Sequence, residues 1–190
     1  MRLSSVTTNG LAFIALGALL AGCSNGAQFA PLGAGAAFRA RPAATTEVVL
    51  YKFTNGADDG SGPWGSPVED GSGALYGTSS AGSGTAGVVW KLTPSGKTYK
   101  ESAIYKFPAS RSEGAAPEAG LVIDSSGALY GTTSSGGKGS CGGCGVIFKL
   151  TPKGKSYTES TLYDFGASSK DGTVPVAALT FSGTKLFGVT

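Results

Sequence analysis

The sequence has no histidine among its 190 residues. This absence excludes Ser-His-Asp and Cys-His catalysis, histidine-ligated zinc and histidine proton shuttles. Runs of basic residues interleaved with aromatics are also missing, and 15 Lys and Arg against 12 Asp and Glu give a net charge of only +3. This balance does not indicate a nucleic-acid partner. We predict no catalytic residue, no metal site and no cofactor.

The first 23 residues have the parts of an export signal. A short positive end precedes an apolar core, Leu11 to Leu20, which ends at Ala21-Gly22-Cys23. The core is about half the roughly 20 residues of a spanning helix, so it indicates a signal peptide rather than a membrane helix. Its end resembles the lipobox of bacterial lipoproteins, in which the cysteine takes a diacylglycerol and cleavage precedes it. We predict a signal peptide over residues 1–22 and lipidation of Cys23; the alternative is an ordinary signal with an incidental cysteine.

Residues 23–46 are rich in Ala, Gly and Pro and lack hydrophobic periodicity. Such a segment buries too little surface to offset its ordering entropy, so we predict a flexible tether. A partner-binding tail around Arg39 and Arg41 is the alternative. Lipidation would anchor the exported protein to the cell envelope without spanning a membrane. Ser24, which is not Asp, favours the outer membrane if the source is Gram-negative.

Residues 47–190 form a tandem repeat. SGALYGT occurs at 72–78 and again at 126–132, and a looser copy, SGTKLFG, occupies 182–188. The strand-end sequences that also recur are Leu50–Phe53, Ile104–Phe107 and Leu162–Phe165, and KLTP occurs at 91–94 and 149–152. We place the repeats at about 59–107, 113–165 and 171–190, the last only in part.

One repeat, 113–165, predicts four short strands separated by turn residues. The strands are expected at Leu121–Asp124, Ala128–Thr133, Gly145–Leu150 and Tyr157–Phe165, with a type I turn at Thr151–Gly154. No apolar stripe of helical period and length appears. Four strands in about 54 residues is the size of a β-propeller blade. The predicted fold is all-β, with tandem four-stranded antiparallel blades in a propeller-like, incomplete or open array of about two and a half repeats.

The motif LYGTT-x-x-GG, followed by GVIFKLTPKG and LYDF and preceded by DG-x-x-P, resembles the GloVer tandem repeat of exported bacterial proteins. The resemblance covers about residues 47–190. It implies a repeated β architecture and surface display through varied anchors, and it implies no reaction. The partial third repeat leaves an open strand edge. Either the chain is a fragment of a longer reading frame or copies of it self-associate through that edge.

The pair Cys141-Gly-Gly-Cys144 is the most chemically distinctive motif. It could form a local disulfide, a redox dithiol, or a shared or intermolecular site. A four-ligand zinc site lacks its other ligands, and a thioredoxin-like site would need the motif to open a helix. The first repeat lacks the motif, so the fold does not depend on it. We favour a local disulfide.

An acidic-Gly-x-x-Pro loop recurs at Asp59, Glu113 and Asp171. These acids could bind a cation, face a shared ligand, or cap a turn in which Gly adopts positive φ. Calcium requires six to eight oxygens, and the alternating Asp/Asn positions of a calcium loop are missing. We favour the turn, and keep the three acids as speculative binding residues.

Recurring aromatic residues favour packing rather than binding. Tyr76, Tyr130 and Phe187 could form a platform for sugars or peptides, but a recurrent aromatic in a β-repeat more often packs between blades. Trp64 differs, because it lies in the loop sequence SGPWGS where no packing pattern requires it. We take it as a further speculative binding residue.

These observations favour a non-enzymatic role. We predict a cell-envelope lipoprotein that displays a β-repeat binding or scaffold module for a glycan or protein ligand, with the membrane contacted through the lipid. The alternatives are part of a secreted propeller enzyme acting on glycans and a truncated nonfunctional product. Glycosidase chemistry uses two carboxylates in unlike environments, whereas three equivalent loop acids favour a structural repeat.

Overall fold

The computed structural model describes residues 2–7, 46–55, 59–168 and 170–190. The chain divides into two compact units, one of Met1–Leu3 with Val49–Thr190 and the other of Ser4–Val48. Most of the second unit lies outside the described residues, and so do Cys23, nearly all of the predicted tether and most of the predicted signal peptide. Strands β1 (Arg2–Thr7) and β2 (Thr46–Lys52) form a two-stranded sheet.

Each complete repeat folds as one four-stranded antiparallel sheet with its strands in chain order. The first sheet contains β3 (Gly60–Glu69), β4 (Leu75–Gly82), β5 (Val88–Ser95) and β6 (Thr98–Lys106). The second sheet contains β7 (Val122–Ile123), β8 (Leu129–Thr133), β9 (Val146–Lys153) and β10 (Ser156–Asp164). Within the described residues there is no helix, so the all-β prediction with four-stranded antiparallel sheets is confirmed.

The third repeat contributes a hairpin of β11 (Thr180–Ser182) and β12 (Lys185–Phe187). These two strands occupy the place of the first two strands of the preceding repeats. Among the described residues, β12 has no strand on its outer side.

The type I turn expected at Thr151–Gly154 is wrong in position. Strand β9 continues through Pro152 to Lys153, and Lys153 pairs with Ser156 across a two-residue turn that includes Gly154 at φ +62°. Positive φ is what a tight hairpin needs at that point. Pro152 is tolerated because β8 pairs with β9 only as far as Leu150, so its missing N–H interrupts no ladder on that side.

The larger core cluster contains residues of both complete repeats and combines aliphatic side chains with aromatic rings. Phe107, which follows β6, packs on Phe148 in β9 with ring centroids 5.1 Å apart, and both side chains are fully buried. Phe53, which follows β2, packs on Trp90 in β5 at 5.2 Å. The strand that precedes each complete repeat therefore ends in a ring that packs against the third strand of that repeat.

A glycine directly across from each third-strand ring makes this packing feasible. Gly77 pairs with Trp90, and Gly131 pairs with Phe148. A Cβ on Gly131 would lie 2.6 Å from Phe148 Cζ and 2.8 Å from Leu121 Cδ2. The "LYG" glycine of the repeat is thus required by side-chain packing across the sheet.

Candidate functional site

The three recurrent loop acids each interact electrostatically with a tyrosine that lies eight residues earlier. The Tyr105 phenol donates a hydrogen bond to Glu113 Oε2. The equivalent side-chain pairs are Tyr51 with Asp59 and Tyr163 with Asp171. Each tyrosine also contacts the phenylalanine two residues on in an edge-to-face arrangement, with ring centroids 5.0 to 5.2 Å apart. Glu113 therefore ties its loop to the end of β6.

These pairs make the tyrosines hydrogen-bond donors rather than bases. Burial and the negative charge of Glu113 raise the pKa of Tyr105. Burial, followed by the Asp59 and Glu101 charges, raises the pKa of Tyr51 in the same direction. Phenols with raised pKa values stay protonated at neutral pH. The three pairs combine the same two kinds of group, a phenol and a carboxylate.

Two of the acids, Asp59 and Asp171, also hold local backbone, as the turn interpretation expects. Asp59 Oδ2 accepts hydrogen bonds from Thr54 N at 2.5 Å and Thr54 Oγ1 at 2.9 Å. Asp171 accepts from Ser168 N and Ser168 Oγ at 3.2 and 3.1 Å. The expected positive φ of the following glycine occurs at Gly114, with φ +105°, and at neither of the other two loops.

A second recurrent cluster, which sequence reasoning missed, joins an aspartate to the tyrosine of LYG. Asp124 Oδ1 accepts hydrogen bonds from Ser126 N, Ser126 Oγ and Ala128 N, while its Oδ2 accepts from the Tyr130 phenol at 2.9 Å. The same four bonds recur around Asp70 in the first repeat. The conserved spacing D-x-S-x-A-x-Y in both complete repeats was the available signal.

The hydrogen bonds of this cluster hold both aspartates in the ionised form. Bonds from Ser126, opposed by burial, lower the pKa of Asp124 to about 2. Burial raises the pKa of Asp70, but the bonds from Ser72, Tyr76 and Ala74 outweigh it and lower the value to about 2. Each aspartate is therefore a fixed anion that caps a turn.

A lysine from the adjacent third strand covers each of these tyrosines. Lys91 Nζ lies 5.0 Å from the centre of the Tyr76 ring, and Lys149 Nζ lies 5.2 Å from that of Tyr130. These distances are typical of cation–π contacts. Tyr76 is buried and Tyr130 half-buried, whereas Phe187 in the third repeat is 55% exposed.

Trp64 lies in β3 rather than in a loop, and it is 52% exposed. Its Nε1 donates to Ser80 Oγ at 3.1 Å, which fixes the indole against β4. Pairing of β3 with β4 is irregular between Trp64 and Val68. The structure therefore presents a fixed indole face at the surface.

Cys141 and Cys144 are joined by a disulfide in the loop between β8 and β9, with Cα atoms 6.0 Å apart. Cys144 is buried and Cys141 exposed. A Cβ on Gly166, after β10, would meet the sulfur atoms of both residues. The bridge therefore lies against the end of the fourth strand of its own repeat.

The third repeat borders a cavity of about 230 Å³. Its lining includes Ile147 and Phe165 from the second repeat and Pro175, Leu179 and Gly188 from the third. Most of this lining is apolar. It lies next to the exposed Tyr163 and Val189.

Within the described ranges, no group of three or more Cys, Asp or Glu side chains is placed to hold a metal ion. The same part of the chain contains no helix that is long and apolar enough to cross a membrane.

The model of one protein family, the Gloeobacter/Verrucomicrobia repeat, matches residues 8–190. The match spans both four-stranded sheets and the hairpin, and it extends back through the segment before β2. No curated protein matches the chain.

Proposed function

The chain belongs to the Gloeobacter/Verrucomicrobia repeat family, and from this premise we propose that it is an exported lipoprotein that displays a β-repeat binding or scaffold module at the cell envelope. Cys23 carries the lipid, residues before it are removed, and the following segment links it to the repeats. The repeats stack in a propeller-like array. The observation that carries the proposal is the Leu20-Ala21-Gly22-Cys23 sequence at the end of a ten-residue apolar run.

The geometry of the repeats supports a scaffold. Their recurrent polar residues are used to hold loops and strands: tyrosine phenols bind Glu113 and its equivalents, and Asp124 caps a turn. Stacking of identical supersecondary units through ring contacts is how repeat proteins present an extended surface. These recurrent polar residues thus have a structural role in holding loops and strands together.

Trp64 is the residue we propose for ligand contact. An exposed indole held by a hydrogen bond to Ser80 offers a flat apolar face with little loss of side-chain freedom on binding. A glycan or an aromatic-rich peptide fits such a face. Screening the purified protein on a glycan array and repeating it with Trp64→Ala tests this part; retained binding by the variant would exclude the indole.

The anchor is tested by palmitate labelling and membrane fractionation of the wild type, Cys23→Ser and the control Ser24→Ala in a bacterial host. We expect Cys23→Ser to lose label and leave the membrane fraction, while Ser24→Ala keeps its label. Labelled or membrane-bound Cys23→Ser would contradict the proposal. A hydrolysis assay on the array ligands completes the test, because turnover abolished by Asp171→Asn would establish the enzyme alternative instead.

A further inference from the structure

The disulfide lies at the junction between the second and third repeats. Cys144 precedes β9 by two residues, and its carbonyl accepts a hydrogen bond from Val174 N at 2.9 Å. Val174 belongs to the acidic loop of the third repeat, directly before Pro175. Cys144 is therefore joined to Cys141 through its side chain and to the next repeat through its backbone.

The junction between the first and second repeats has the same backbone contact without cysteine. Ala86 occupies the place of Cys144, and its carbonyl accepts a hydrogen bond from Ala116 N at 2.7 Å. The next residue in each case is a glycine, and a Cβ added there would meet Pro117 in the first junction and Pro175 in the second. The first junction thus supplies an internal control for the second.

The residue that donates this hydrogen bond has an unusual backbone conformation at both junctions. Ala116 has φ +53° and Val174 has φ +57°. A β-branched residue is strained in this region, and such a conformation persists only where the surrounding structure holds it. Because the Val174 side chain is 52% exposed, its packing restrains the loop little. The hydrogen bond to Cys144 therefore acts against a backbone that tends to relax.

The two junctions hold the accepting residue in different ways. In the first, Ala86 N donates a hydrogen bond to Phe107 O at 3.0 Å. In the second, the equivalent carbonyl oxygen, that of Phe165, lies 3.8 Å from Cys141 Sγ. A Cβ on the following Gly166 would clash with the same sulfur. The bridge thus packs at the place where the first junction has a backbone hydrogen bond.

The two half-cystines differ in their access to solvent. Cys141 is exposed, whereas Cys144 is buried. In thiol–disulfide exchange a thiolate must reach one sulfur of the bridge, and access helps to decide which sulfur it attacks. An incoming thiolate therefore meets Cys141, and the Cys144 sulfur is the leaving group.

We propose that the Cys141–Cys144 bridge is a reducible site for a dithiol partner, and that its reduction loosens the junction between the second and third repeats. One thiolate of the dithiol attacks Cys141 Sγ, the bond to Cys144 breaks, and the Cys144 sulfur takes up the proton that the attacking thiol lost. The second thiol then attacks the partner's sulfur in the mixed disulfide, and its proton passes to Cys141. Two electrons and two protons thus move to the bridge, and the dithiol leaves as a disulfide.

Reduction acts on the junction through Cys144. Without the bridge, Cys144 is no longer tied to Cys141, so its carbonyl holds Val174 less firmly. Val174 then leaves its strained conformation, and the loop that leads to Pro175 moves with it. The second sheet keeps its strands, because the pairing of β8 with β9 begins beyond the bridge. The inference goes beyond the proposed lipoprotein and depends on neither the lipid nor the exposed indole.

Reduced glutathione identifies the sulfur that is attacked. The purified, oxidised full chain is incubated with it without denaturant, quenched with iodoacetamide and mapped by tandem mass spectrometry. We expect glutathione on Cys141 and the alkyl group on Cys144, in about tenfold or greater excess over the reverse arrangement. Equal amounts on the two cysteines, or a bridge that dithiothreitol reduces only after urea is added, would overturn the reducible site.

Hydrogen exchange of the Val174 amide measures the junction. It is followed by nuclear magnetic resonance in the oxidised chain, in the chain reduced with dithiothreitol, and in the double variant Cys141→Ser, Cys144→Ser. We expect exchange about tenfold faster in the last two, whereas the Ala116 amide, the matched control in the first junction, changes less than about twofold. Equal exchange of Val174 in the oxidised and reduced chains would overturn the coupling.

A second variant separates the backbone strain from a general loosening. Glycine adopts positive φ without strain, so in Val174→Gly the difference in exchange between the oxidised and reduced chains should fall to about twofold or less. A difference as large as in the wild type would refute the role of the strained backbone. None of these results bears on the Cys23 anchor.

Discussion

Replacing Gly131 by Ala tests the ring packing that joins the repeats. The new Cβ would lie 2.6 Å from Phe148 Cζ and 2.8 Å from Leu121 Cδ2, both closer than real Cβ contacts allow. Both neighbours are buried, so relief requires the ring to leave its position. Overpacking of this kind costs about 1–3 kcal/mol. For a chain of this size, about 2 kcal/mol lowers Tm by roughly 4–8 °C.

The assay is thermal unfolding followed by far-ultraviolet circular dichroism, with Gly71→Ala as the matched control. Gly71 lies in the turn before β4, has no atom within 4 Å of an added Cβ and does not have positive φ. We expect the control to shift Tm by no more than about 1 °C. Combining Gly131→Ala with Phe148→Leu, which vacates the ring site, should recover part of the loss, because contacting residues couple by about 0.5–3 kcal/mol.

Two results would refute the reasoning. One is a Tm for Gly131→Ala equal to that of Gly71→Ala, which would mean that the glycine is not held by the ring. The other is strict additivity of Gly131→Ala and Phe148→Leu, which would mean that the two residues do not compete for one space.

Further changes test the polar clusters and the bridge. Asp124→Asn should lower the free energy of unfolding by about 1 kcal/mol at neutral pH. Because the pKa of Asp124 in the folded protein is lowered to about 2, the ionised carboxylate stabilises the wild type above about pH 4, and this stabilisation declines as pH falls toward 2. The urea midpoints of wild type and variant should therefore converge near pH 2. Tyr105→Phe should lower the free energy of unfolding by about 1–2 kcal/mol, since half-buried Glu113 loses its donor, and an unchanged urea midpoint would contradict the pairing. Reducing the Cys141–Cys144 bridge should lower Tm by only a few degrees without loss of the β spectrum, because its loop is short; loss of that spectrum would show that the fold requires the bridge.

The strands of the complete repeats could be predicted because two signals agreed. Short β-branched and aromatic runs recurred in register with Gly-containing turns, and the predicted Ala128–Thr133 and Tyr157–Phe165 match β8 and β10 to within one residue at each end. The turn expected at Thr151–Gly154 is wrong in position because Pro and Gly favour a turn by composition, whereas the pairing of β9 with β10 carries the strand on to Lys153. Whether Pro152 interrupts a ladder depends on which strand lies beside it.

The polar clusters were harder to anticipate. The sequence shows an acid eight residues after Tyr51, Tyr105 and Tyr163 even though the spacing between repeats changes from 54 to 58. That constant spacing indicates a direct interaction between the acid and the tyrosine in each case. Local composition instead favoured a turn cap, and it gave no hint that Asp124 would bind Tyr130, because a contact across a turn depends on the backbone path between them.

Ring-to-ring contacts between repeats were not predictable from one repeat alone. Tyr and Phe two residues apart indicate a shared strand face, but which residue of the next repeat they meet is set by the stacking of whole sheets. The structure supplies that relation through Phe53–Trp90 and Phe107–Phe148.

The central claim, that the chain is a lipoprotein anchored through Cys23, is tested most directly by mass spectrometry of the mature amino terminus. The protein would be expressed in a bacterial host, extracted from the membrane fraction and digested. The account predicts an amino-terminal peptide that begins at Cys23 and carries the mass of a diacylglycerol on its sulfur. A mature protein that retains residues before Cys23, or that carries an unmodified thiol there, would contradict it.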